Sequence, residues 1–201
     1  RIAQLSFSVI LLITLIAILG PFVRPDHSPD ANTQLLSISR MKPGFTADLL
    51  MIHKNEAYKR ANFFTCIADG GWDNCSNYIP LESWEIKSDS IFYKATGEDE
   101  TLSIHLVDVL YHLGDKSYKK TSSGYSVEHF RGSELVSETI SFAQLAEKSS
   151  EAVNQKTYLL GTDKYGRDYL SRLMAGTAIS ISVGFIAVFI SLLIGILLGL
   201  L

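Results

Sequence analysis

The sequence predicts a membrane protein in which two transmembrane α-helices flank a β-rich α+β domain. Three features favour this fold class: a long apolar run at each end of the chain, a charged segment between the runs, and frequent turn residues within that segment. No charged residue occurs from Ile2 to Val23 or from Leu173 to Leu201. Runs of about 20 apolar residues are long enough to cross a bilayer as helices. A wholly water-soluble globule is therefore excluded.

The first apolar run predicts a transmembrane helix within residues 1–24. Pro21 and Pro25 are expected to close this helix, because proline cannot continue the backbone hydrogen bonding, and Arg24 and Asp26 are expected to mark the return to water. A secretory signal peptide is the alternative. The run is longer than the usual apolar region of a signal, and no Ala-x-Ala cleavage site follows it.

The second apolar run predicts a transmembrane helix over residues 173–201. Small residues recur along it at a spacing near four, and small residues let helix backbones approach closely in lipid. We therefore expect this helix to pack against other helices through a ridge of small residues, although glycine and serine are also generally common in membrane spans. The small-residue ridge consists of Gly176, Ser180, Gly184, Ser191, Gly195 and Gly199.

The two ends of the chain suggest a larger protein. The sequence begins with Arg1 rather than methionine, and it stops at Leu201 inside an apolar run with no flanking charge. We therefore expect a fragment of a longer multi-span protein, truncated within its second helix.

Residues 25–157 carry the features of a water-exposed α+β domain with a β majority. Short apolar stretches alternate with turn residues, and no second run of membrane length interrupts them. Strands are predicted within residues 83–94, a hairpin pair within 118–140 and a short helix within 142–153, whereas residues 102–113 fit a strand or a helix equally well.

The two cysteines, Cys66 and Cys75, lie in a segment with Gly-Gly and Asp-Asn turn chemistry that can close a loop. In an oxidising compartment we expect a disulfide between them, with free thiols as the alternative. A zinc site is disfavoured, because zinc requires four ligands and no second cysteine pair is present.

Composition and motifs argue against several other functions. The chain has 18 basic and 21 acidic residues and a net charge of −3, so it lacks the basic excess of a nucleic-acid-binding protein. It contains no Gly-x-Ser-x-Gly nucleophile elbow and no phosphate-binding loop of the Gly-x-x-x-x-Gly-Lys type. His105, Asp108 and His112 would share one face only if their segment were helical. We expect no catalytic residue, no metal site and no bound cofactor.

The segment before the second run, residues 158–172, has the pattern of a turn leading into a helix start. Its glycines permit unusual backbone dihedrals, and the side chains of Thr162, Asp163 and Asp168 can cap exposed amides. Acidic residues also suit the positive end of a helix dipole. We expect arginines of the segment to pair with its aspartates. The residues concerned are Gly161, Thr162, Asp163, Gly166, Arg167, Asp168, Ser171 and Arg172.

This segment reads Leu-Gly-Thr-Asp-x-x-Gly-Arg-Asp-x-x-Ser-Arg and is followed by Gly-x-x-Ile-Ser-x-x-Val-Gly. It closely resembles the inner-membrane permease subunits of bacterial dipeptide, oligopeptide and nickel ABC importers, and more narrowly the second, C-type, permease of the pair. The resemblance covers residues 160–201 strongly, and the first apolar run fits the first helix of the family. Residues 27–157 match no motif of the family and look like an expanded extracytoplasmic insertion.

The resemblance implies a multi-pass permease of the bacterial inner membrane with about six helices. Its partners would be a homologous permease subunit, two ATP-binding subunits and an extracytoplasmic substrate-binding protein, with peptides as cargo and lipid around the helices. ATP would bind the ATPase subunits, not this chain. Residues 25–172 would lie outside the cytoplasm, although the local count of basic residues favours the opposite side. The motif residues would have a structural or gating role near the external mouth.

One alternative from a different class fits the same layout. Two apolar segments that bracket a domain are typical of a two-span sensor with an extracytoplasmic ligand-binding domain. That interpretation explains the arrangement of the chain, but neither the Gly-Thr-Asp-x-x-Gly-Arg-Asp pattern nor the small-residue ridge. An anchored extracytoplasmic enzyme has no catalytic constellation to support it.

Overall fold

A computed structural model describes residues 1–59, 62–72 and 75–200 of the chain, without the side chains of residues 115–117. Two long helices lie at the ends of the chain, α1 (Ile2–Val23) and α5 (Tyr169–Gly199). At 1.5 Å per residue they are about 33 and 46 Å long, compared with a bilayer core of about 30 Å. Both are long and apolar enough to cross a membrane, and their most apolar stretches lie exposed.

The prediction that Pro21 closes the first helix is wrong. The helix α1 continues through Pro21 to Val23. Proline removes one backbone hydrogen bond and crowds the carbonyl four residues earlier, and the helix ends within a turn of it rather than at it. The chain leaves the helix at Arg24, whose backbone is extended.

The middle of the chain contains two antiparallel sheets. The first sheet has five strands in the order β4-β3-β2-β1-β8, and the second has three strands in the order β5-β6-β7. Within each sheet, neighbouring strands are consecutive in sequence, as in hairpins and meanders, except for the pairing of β1 with β8. The strands are β1 (Phe45–His53), β2 (Ser76–Lys87), β3 (Ser90–Ala95), β4 (Thr101–His105), β5 (Leu113–Thr121), β6 (Gly124–Arg131), β7 (Glu134–Ser141) and β8 (Val153–Tyr158).

Three short helices complete the domain: α2 (Phe63–Ala68), α3 (Leu106–Leu110) and α4 (Phe142–Lys148). The helix α4 begins with a capping box, in which the Ser141 side chain accepts a hydrogen bond from the Gln144 amide and the Gln144 side chain bonds back to Ser141. This reciprocal bonding satisfies two amides that a helix start would otherwise leave free. Single 3-10 turns occur at Pro29–Ala31, Leu36–Ile38 and Ser149–Glu151.

The five-stranded sheet has a buried cluster on each side. The larger cluster joins Leu50 and Ile91 to the helix α3 and to the three-stranded sheet through Val127 and Ile140. A smaller cluster brings Leu35 and Ile38 against Ala47, Leu49 and Tyr158. Alternation along β1 explains this division, since successive side chains of a strand point to opposite faces. The smaller cluster holds the segment after α1 against the sheet.

Most local predictions for the domain are confirmed. The hairpin is present, with turns between β5 and β6 and between β6 and β7, and the helix predicted from residue 142 is α4. The ambiguous stretch 102–113 contains the end of β4, the helix α3 and the start of β5. This alternation separates the histidines: His105 caps α3, while His112 stacks on His53 with 4.4 Å between ring centroids.

Candidate functional site

Residues 161–172, which we call the motif, fold against the segment that leaves α1. We call residues 24–41, which connect α1 to the sheet, the collar. The collar runs alongside the motif, and the two are joined by backbone hydrogen bonds from Leu35 to Tyr165 (3.2 Å) and from Arg40 to Asp163 (2.9 Å). The motif therefore links the start of α5 to the end of α1 and to the sheet.

Thr162 fastens the motif to the far end of the collar. Its hydroxyl donates a hydrogen bond to the carbonyl of Ile38 (2.6 Å) and accepts one from the amide of Met41 (2.8 Å). Its own amide donates to the carbonyl of Met41 (3.2 Å). Thr162 is buried, so each of these bonds replaces contact with water that burial has removed. Thr162 therefore caps backbone groups of the collar, which is distant in sequence, and does not cap the helix α5.

Gly161 and Gly166 are required by close backbone approach. Both have positive φ angles, 74° and 72°. A Cβ atom at Gly161 would lie 2.2 Å from the carbonyl oxygen of Met41, and one at Gly166 would lie 1.8 Å from that of Leu35. These distances are far below van der Waals contact, and the obstructing atoms belong to the backbone. Only glycine fits at either position.

Asp163 and Arg167 form the ion pair that organises the turn between the glycines. The guanidinium of Arg167 contacts the Asp163 carboxylate through Nη2 (2.6 Å) and Nε (2.8 Å), and its Nη1 donates to Asn32 in the collar (3.1 Å). The other oxygen of Asp163 accepts from the amides of Tyr165 and Arg167. Two-point contact of this kind fixes geometry as well as charge. The predicted pairing of an arginine with an aspartate is confirmed here.

The environment of Asp163 favours its ionised form. Burial alone raises the pKa of this carboxyl, because it disfavours the charge. The hydrogen bonds from the Arg167 side chain and from the two amides outweigh burial and hold the pKa of Asp163 below its ordinary value. The ion pair is therefore intact at neutral pH.

Asp168 caps the helix α5. Its Oδ1 accepts a hydrogen bond from the amide of Ser171 (2.8 Å). Its Oδ2 is buried and has no hydrogen-bond partner among the residues that the structure describes. The charge lies at the positive end of a long helix, which stabilises an anion. The predicted capping role of Asp168 is confirmed.

Arg172 does not pair with an aspartate carboxylate as predicted. Its Nη1 donates instead to the backbone carbonyl of Asp30 in the collar (3.0 Å). The carboxylate of Asp163 is already occupied by Arg167 and the turn amides, whereas the carbonyl of Asp30 lies beside the first turn of α5. Because Asp30 belongs to the collar, the bond from Arg172 adds to the connection between α5 and the collar.

Arg24 and Asp26 are the functional residues that sequence reasoning missed. They were expected at the return to water, yet both are buried, with 2% and 5% of their surfaces exposed. The Arg24 guanidinium donates to the carbonyls of Asp26, Ser28 and Gly70. Buried charges need such partners. The signal in the sequence was the dense run of turn formers after Arg24, which provides carbonyls that point inward.

The Asp26 carboxylate organises the collar in the same manner. One of its oxygens accepts from the amide of Ser28 (3.0 Å) and from the hydroxyl of Thr33 (3.0 Å), and the other accepts from the amide of Thr33 (3.1 Å). The collar is thus folded around two buried charges of opposite sign. It provides a firm base for the motif.

A cavity of about 370 Å³ lies between the collar and the five-stranded sheet. Asp26 and His27 line it from the collar, and Tyr78 and Lys156 line it from the sheet. The Lys156 ammonium lies over the Tyr158 ring, 5.2 Å from its centroid. The cavity thus belongs to the contact between the collar and the sheet.

The small-residue ridge of α5 does not face α1. The groove between the two helices is lined from α5 by Ala175, Ala178 and Ser182 and from α1 by Ala17 and Gly20. A Cβ atom added at any glycine of the ridge, namely Gly176, Gly184, Gly195 or Gly199, would find no atom within 4 Å. Ser180 and Ser191 bond only to carbonyls of their own helix. Packing of the ridge against further helices therefore stays a prediction.

The two cysteines lie on either side of the loop after α2. Cys66 is buried within α2, and burial raises the pKa of its thiol. Cys75 is half-buried immediately before β2. The disulfide between them stays a prediction.

The contacts of the motif are structural, since they connect α5 to the collar. The motif side chains bond to groups of the collar and to each other, although Oδ2 of Asp168 has no partner among the described residues. In the ranges 1–59, 62–72 and 75–200, no group of three His, Cys, Asp or Glu side chains is placed to hold a metal ion. The motif holds two helices and a sheet in one fixed relation.

Comparison with known proteins gives two short, strong similarities. Over 47 residues, 23% of this chain, it is 57% identical to the di/tripeptide transport system permease protein DppC of Pseudomonas aeruginosa (strain UCBPP-PA14). Over 43 residues, 21% of this chain, it is 58% identical to the dipeptide transport system permease protein DppC of Haemophilus influenzae (strain ATCC 51907 / DSM 11121 / KW20 / Rd). No family model and no solved structure matches the chain.

These similarities cover only 16% and 15% of the length of the two relatives. The shared part is therefore a local segment and not a whole subunit. Together with the two membrane-length helices, it supports a place for the chain in a membrane. The chain thus has partial homology to peptide permeases of ABC transporters, which are transport subunits and not enzymes.

Proposed function

We propose that the protein is a permease subunit of an ATP-driven importer that moves di- or oligopeptides across the bacterial inner membrane. The observation that carries the proposal is the identity of 57–58% with two dipeptide permeases over 47 and 43 residues. The two long exposed apolar helices and the Gly-Thr-Asp-x-x-Gly-Arg-Asp motif before α5 agree with it. The narrower assignment, to the second permease of a pair, rests on the motif alone.

The proposed assembly contains a homologous permease, two ATP-binding subunits and an extracytoplasmic substrate-binding protein. ATP would bind the ATPase subunits, and this chain would bind no cofactor. Residues 25–172 would face outward, so that the sheets and the collar stand above the membrane. Peptide would pass between the two permeases as ATP binding and hydrolysis alternate their access.

In this assembly the motif would act as the joint between α5 and the external domain. Helix α5 cannot shift at its first turn without displacing the collar, because Ser171 and Arg172 are both bonded to it. The Asp163–Arg167 pair holds the turn that precedes the helix. A change of access at the external mouth would thus move the helix start and the domain together. The role is structural or gating.

Uptake of a labelled dipeptide tests the proposal. The full-length gene would be expressed with its neighbouring transporter genes in a bacterial strain that lacks its own dipeptide importers. We expect ATP-dependent uptake that is lost when the ATPase subunits are inactivated. Substitution Arg167→Ala should reduce uptake at least about tenfold, a loss in line with removal of a partly buried ion pair.

A matched control distinguishes the joint from surface charge. Arg131 also pairs with a carboxylate, that of Glu138 at 3.2 Å, but its side chain is 67% exposed. Arg131→Ala should leave uptake unchanged, since exposed pairs contribute little. Absence of uptake by the wild-type assembly, or copurification with a signalling domain in place of ATPase subunits, would favour the two-span sensor.

A further inference from the structure

Four aromatic rings meet where α1 leaves its apolar stretch. The ring of Phe22, in the last turn of α1, stacks on Phe63 of α2 with 5.0 Å between centroids. Trp72 meets the same Phe22 ring edge-on at 5.9 Å, and Phe64 meets Phe63 edge-on at 5.7 Å. We call Phe22, Phe63, Phe64, Ile67 and Trp72 the aromatic patch. It joins the helix α2 of the domain to the end of a membrane-length helix.

The aromatic patch is exposed to a degree that is unusual for such side chains. Phe64 is 81% exposed, Phe63 54%, Ile67 40% and Trp72 37%. The helix α2, Phe63–Ala68, contains no charged residue. The patch is continuous with the exposed apolar surface of α1, and Ile67 lines the same groove as Ile18 and Ile179 of the two long helices. Continuous apolar surface of this kind marks a contact with lipid or protein.

The polar side of the same segment is turned inward and held rigidly. The carbonyl of Gly70 accepts from the Arg24 guanidinium and from the amide of Asp30, and the amide of Trp72 donates to the carbonyl of His27. A Cβ atom at Gly71 would lie 2.6 Å from atoms of Arg24, His27 and Ser28. The loop after α2 is therefore locked onto the collar. Its rings are held outward at a fixed height relative to α1.

The length of α1 sets that height. Its 22 residues rise about 33 Å, slightly more than the hydrocarbon core of a bilayer. When α1 spans the membrane, Phe22 lies at the boundary between acyl chains and headgroups. Phe63 and Trp72 lie near that depth, since their ring centroids are 5.0 and 5.9 Å from that of Phe22. Tryptophan is enriched at that boundary, and phenylalanine occurs with it on the apolar faces of segments that lie there.

We propose that the aromatic patch is a membrane-interface anchor, with α2 and Trp72 inserted at the headgroup–acyl boundary of the membrane that α1 crosses. The anchor fixes the tilt of the sheets over the membrane by a contact that α2 and Trp72 add to those of the two spans. Lipid is the occupant because the patch continues the apolar surface of α1 and lies level with its end. The inference rests on the membrane placement in the proposed function.

The two tryptophans of the sequence provide the test. Trp72 belongs to the patch, whereas Trp84 lies on β2, where its indole donates to Asp48. Two variants of the full protein would each retain one tryptophan, with all others replaced by phenylalanine, and would be reconstituted in phosphatidylcholine vesicles with brominated acyl chains. We expect bromine near the headgroup end to reduce the fluorescence of Trp72 at least about twofold and that of Trp84 by less than about a tenth.

A third variant tests whether α1 inserts into the membrane, independently of the anchor. It carries Ile13→Trp in the middle of α1 and no other tryptophan, and bromine deep in the acyl chains should quench it. If this variant is not quenched, the membrane placement itself is wrong. If it is quenched while Trp72 is not, the anchor is wrong and the patch is covered by protein. Equal quenching of Trp72 and Trp84 would also overturn the anchor.

Discussion

The hydroxyl of Ser171 accepts a hydrogen bond of 2.9 Å from the backbone amide of Asp26, which lies 145 residues earlier in the chain. Ser171 is in the first turn of α5 and is wholly buried, and its own amide is capped by Asp168. Asp26 lies three residues beyond the end of α1. This single bond therefore joins the two long helices at the level where both meet the domain.

Replacement of Ser171 by alanine should destabilise that joint. The substitution leaves the amide of Asp26 buried without its acceptor, and an unsatisfied buried amide costs about 1–3 kcal/mol. We expect Ser171→Ala to lower the free energy of unfolding by that amount, measured by thermal or denaturant unfolding of the full protein in lipid nanodiscs. The alanine side chain itself fits, since it is smaller than serine.

Ser180→Ala is the matched control in the same helix. The Ser180 hydroxyl is exposed and donates only to the Gly176 carbonyl of its own helix. Its loss should change stability by less than about 0.5 kcal/mol. Equal effects of the two substitutions would show that the bond from Asp26 contributes nothing to stability.

A methyl group at Gly166 should be far more disruptive than one at another glycine with positive φ. Gly97 has φ of +87° and no atom within 4 Å of an added Cβ, whereas the added Cβ of Gly166 meets the Leu35 carbonyl oxygen. We expect Gly97→Ala to cost about 1–2 kcal/mol, from the left-handed backbone alone. Gly166→Ala should cost more than about 3 kcal/mol, because it must also separate the motif from the collar.

Denaturant unfolding of the two glycine variants measures the difference directly. Both substitutions add the same methyl group at a similar backbone angle, so the excess for Gly166→Ala isolates the close approach to Leu35. A loss at Gly166 no greater than that at Gly97 would contradict the tight contact between motif and collar.

The local chemistry of the motif was predictable because it depends on near neighbours in sequence. Asp163 and Arg167 are four residues apart, and Asp168 lies three residues before the amide that it caps. Glycines at a turn and an aspartate at a helix start have few alternative uses. The turns of the three-stranded sheet and the start of α4 were predictable for the same reason.

The collar was not predictable because its partners are distant in sequence. From the sequence, Arg24 is expected to be exposed to water at the end of an apolar run. In the folded chain its guanidinium instead bonds to the carbonyl of Gly70, which is far away in sequence. The sequence predicts a capping role for Thr162 at the start of the helix. In the structure its hydroxyl bonds instead to backbone groups of Ile38 and Met41, which are distant in sequence. Neither contact follows from spacing. The burial of a charge depends on tertiary structure that propensities do not contain.

His53 should make the stability of the domain sensitive to mild acid. Burial, together with the neighbouring His112 ring and the Lys148 ammonium, lowers the pKa of His53 to about 4. In the unfolded chain the ordinary value is 6.5. Between these values the unfolded chain binds a proton that the folded domain does not. The contribution of His53 to stability is therefore complete above about pH 6.5 and is lost as pH falls towards 4.

The variant His53→Gln should lack this part of the pH dependence. We expect denaturant midpoints at pH 7.5 and pH 5 to differ less for the variant than for the wild type. At pH 7.5 the neutral imidazole of His53 and the side-chain amide of the introduced glutamine can both hydrogen-bond to Ser76. The two proteins should therefore be similar in stability at that pH. An unchanged difference between the two pH values would exclude His53 as the source.

The Asp163–Arg167 pair should make stability fall with decreasing pH, as His53 does, but in a lower pH range. Because the pKa of Asp163 lies below its ordinary value of 3.8 in the folded chain, the unfolded chain takes up a proton first as pH falls. The stabilisation is therefore present above about pH 4 and is lost as pH falls through the folded pKa.

Asp163→Asn keeps the shape but removes the charge, so it should be less stable than the wild type at pH 7. Its unfolding midpoint should also fall less steeply between pH 5 and pH 3. Glu85→Gln, which breaks the exposed pair with Lys87, is the control and should leave that slope nearly unchanged. An equal slope in Asp163→Asn and the wild type would contradict a buried, charge-dependent joint.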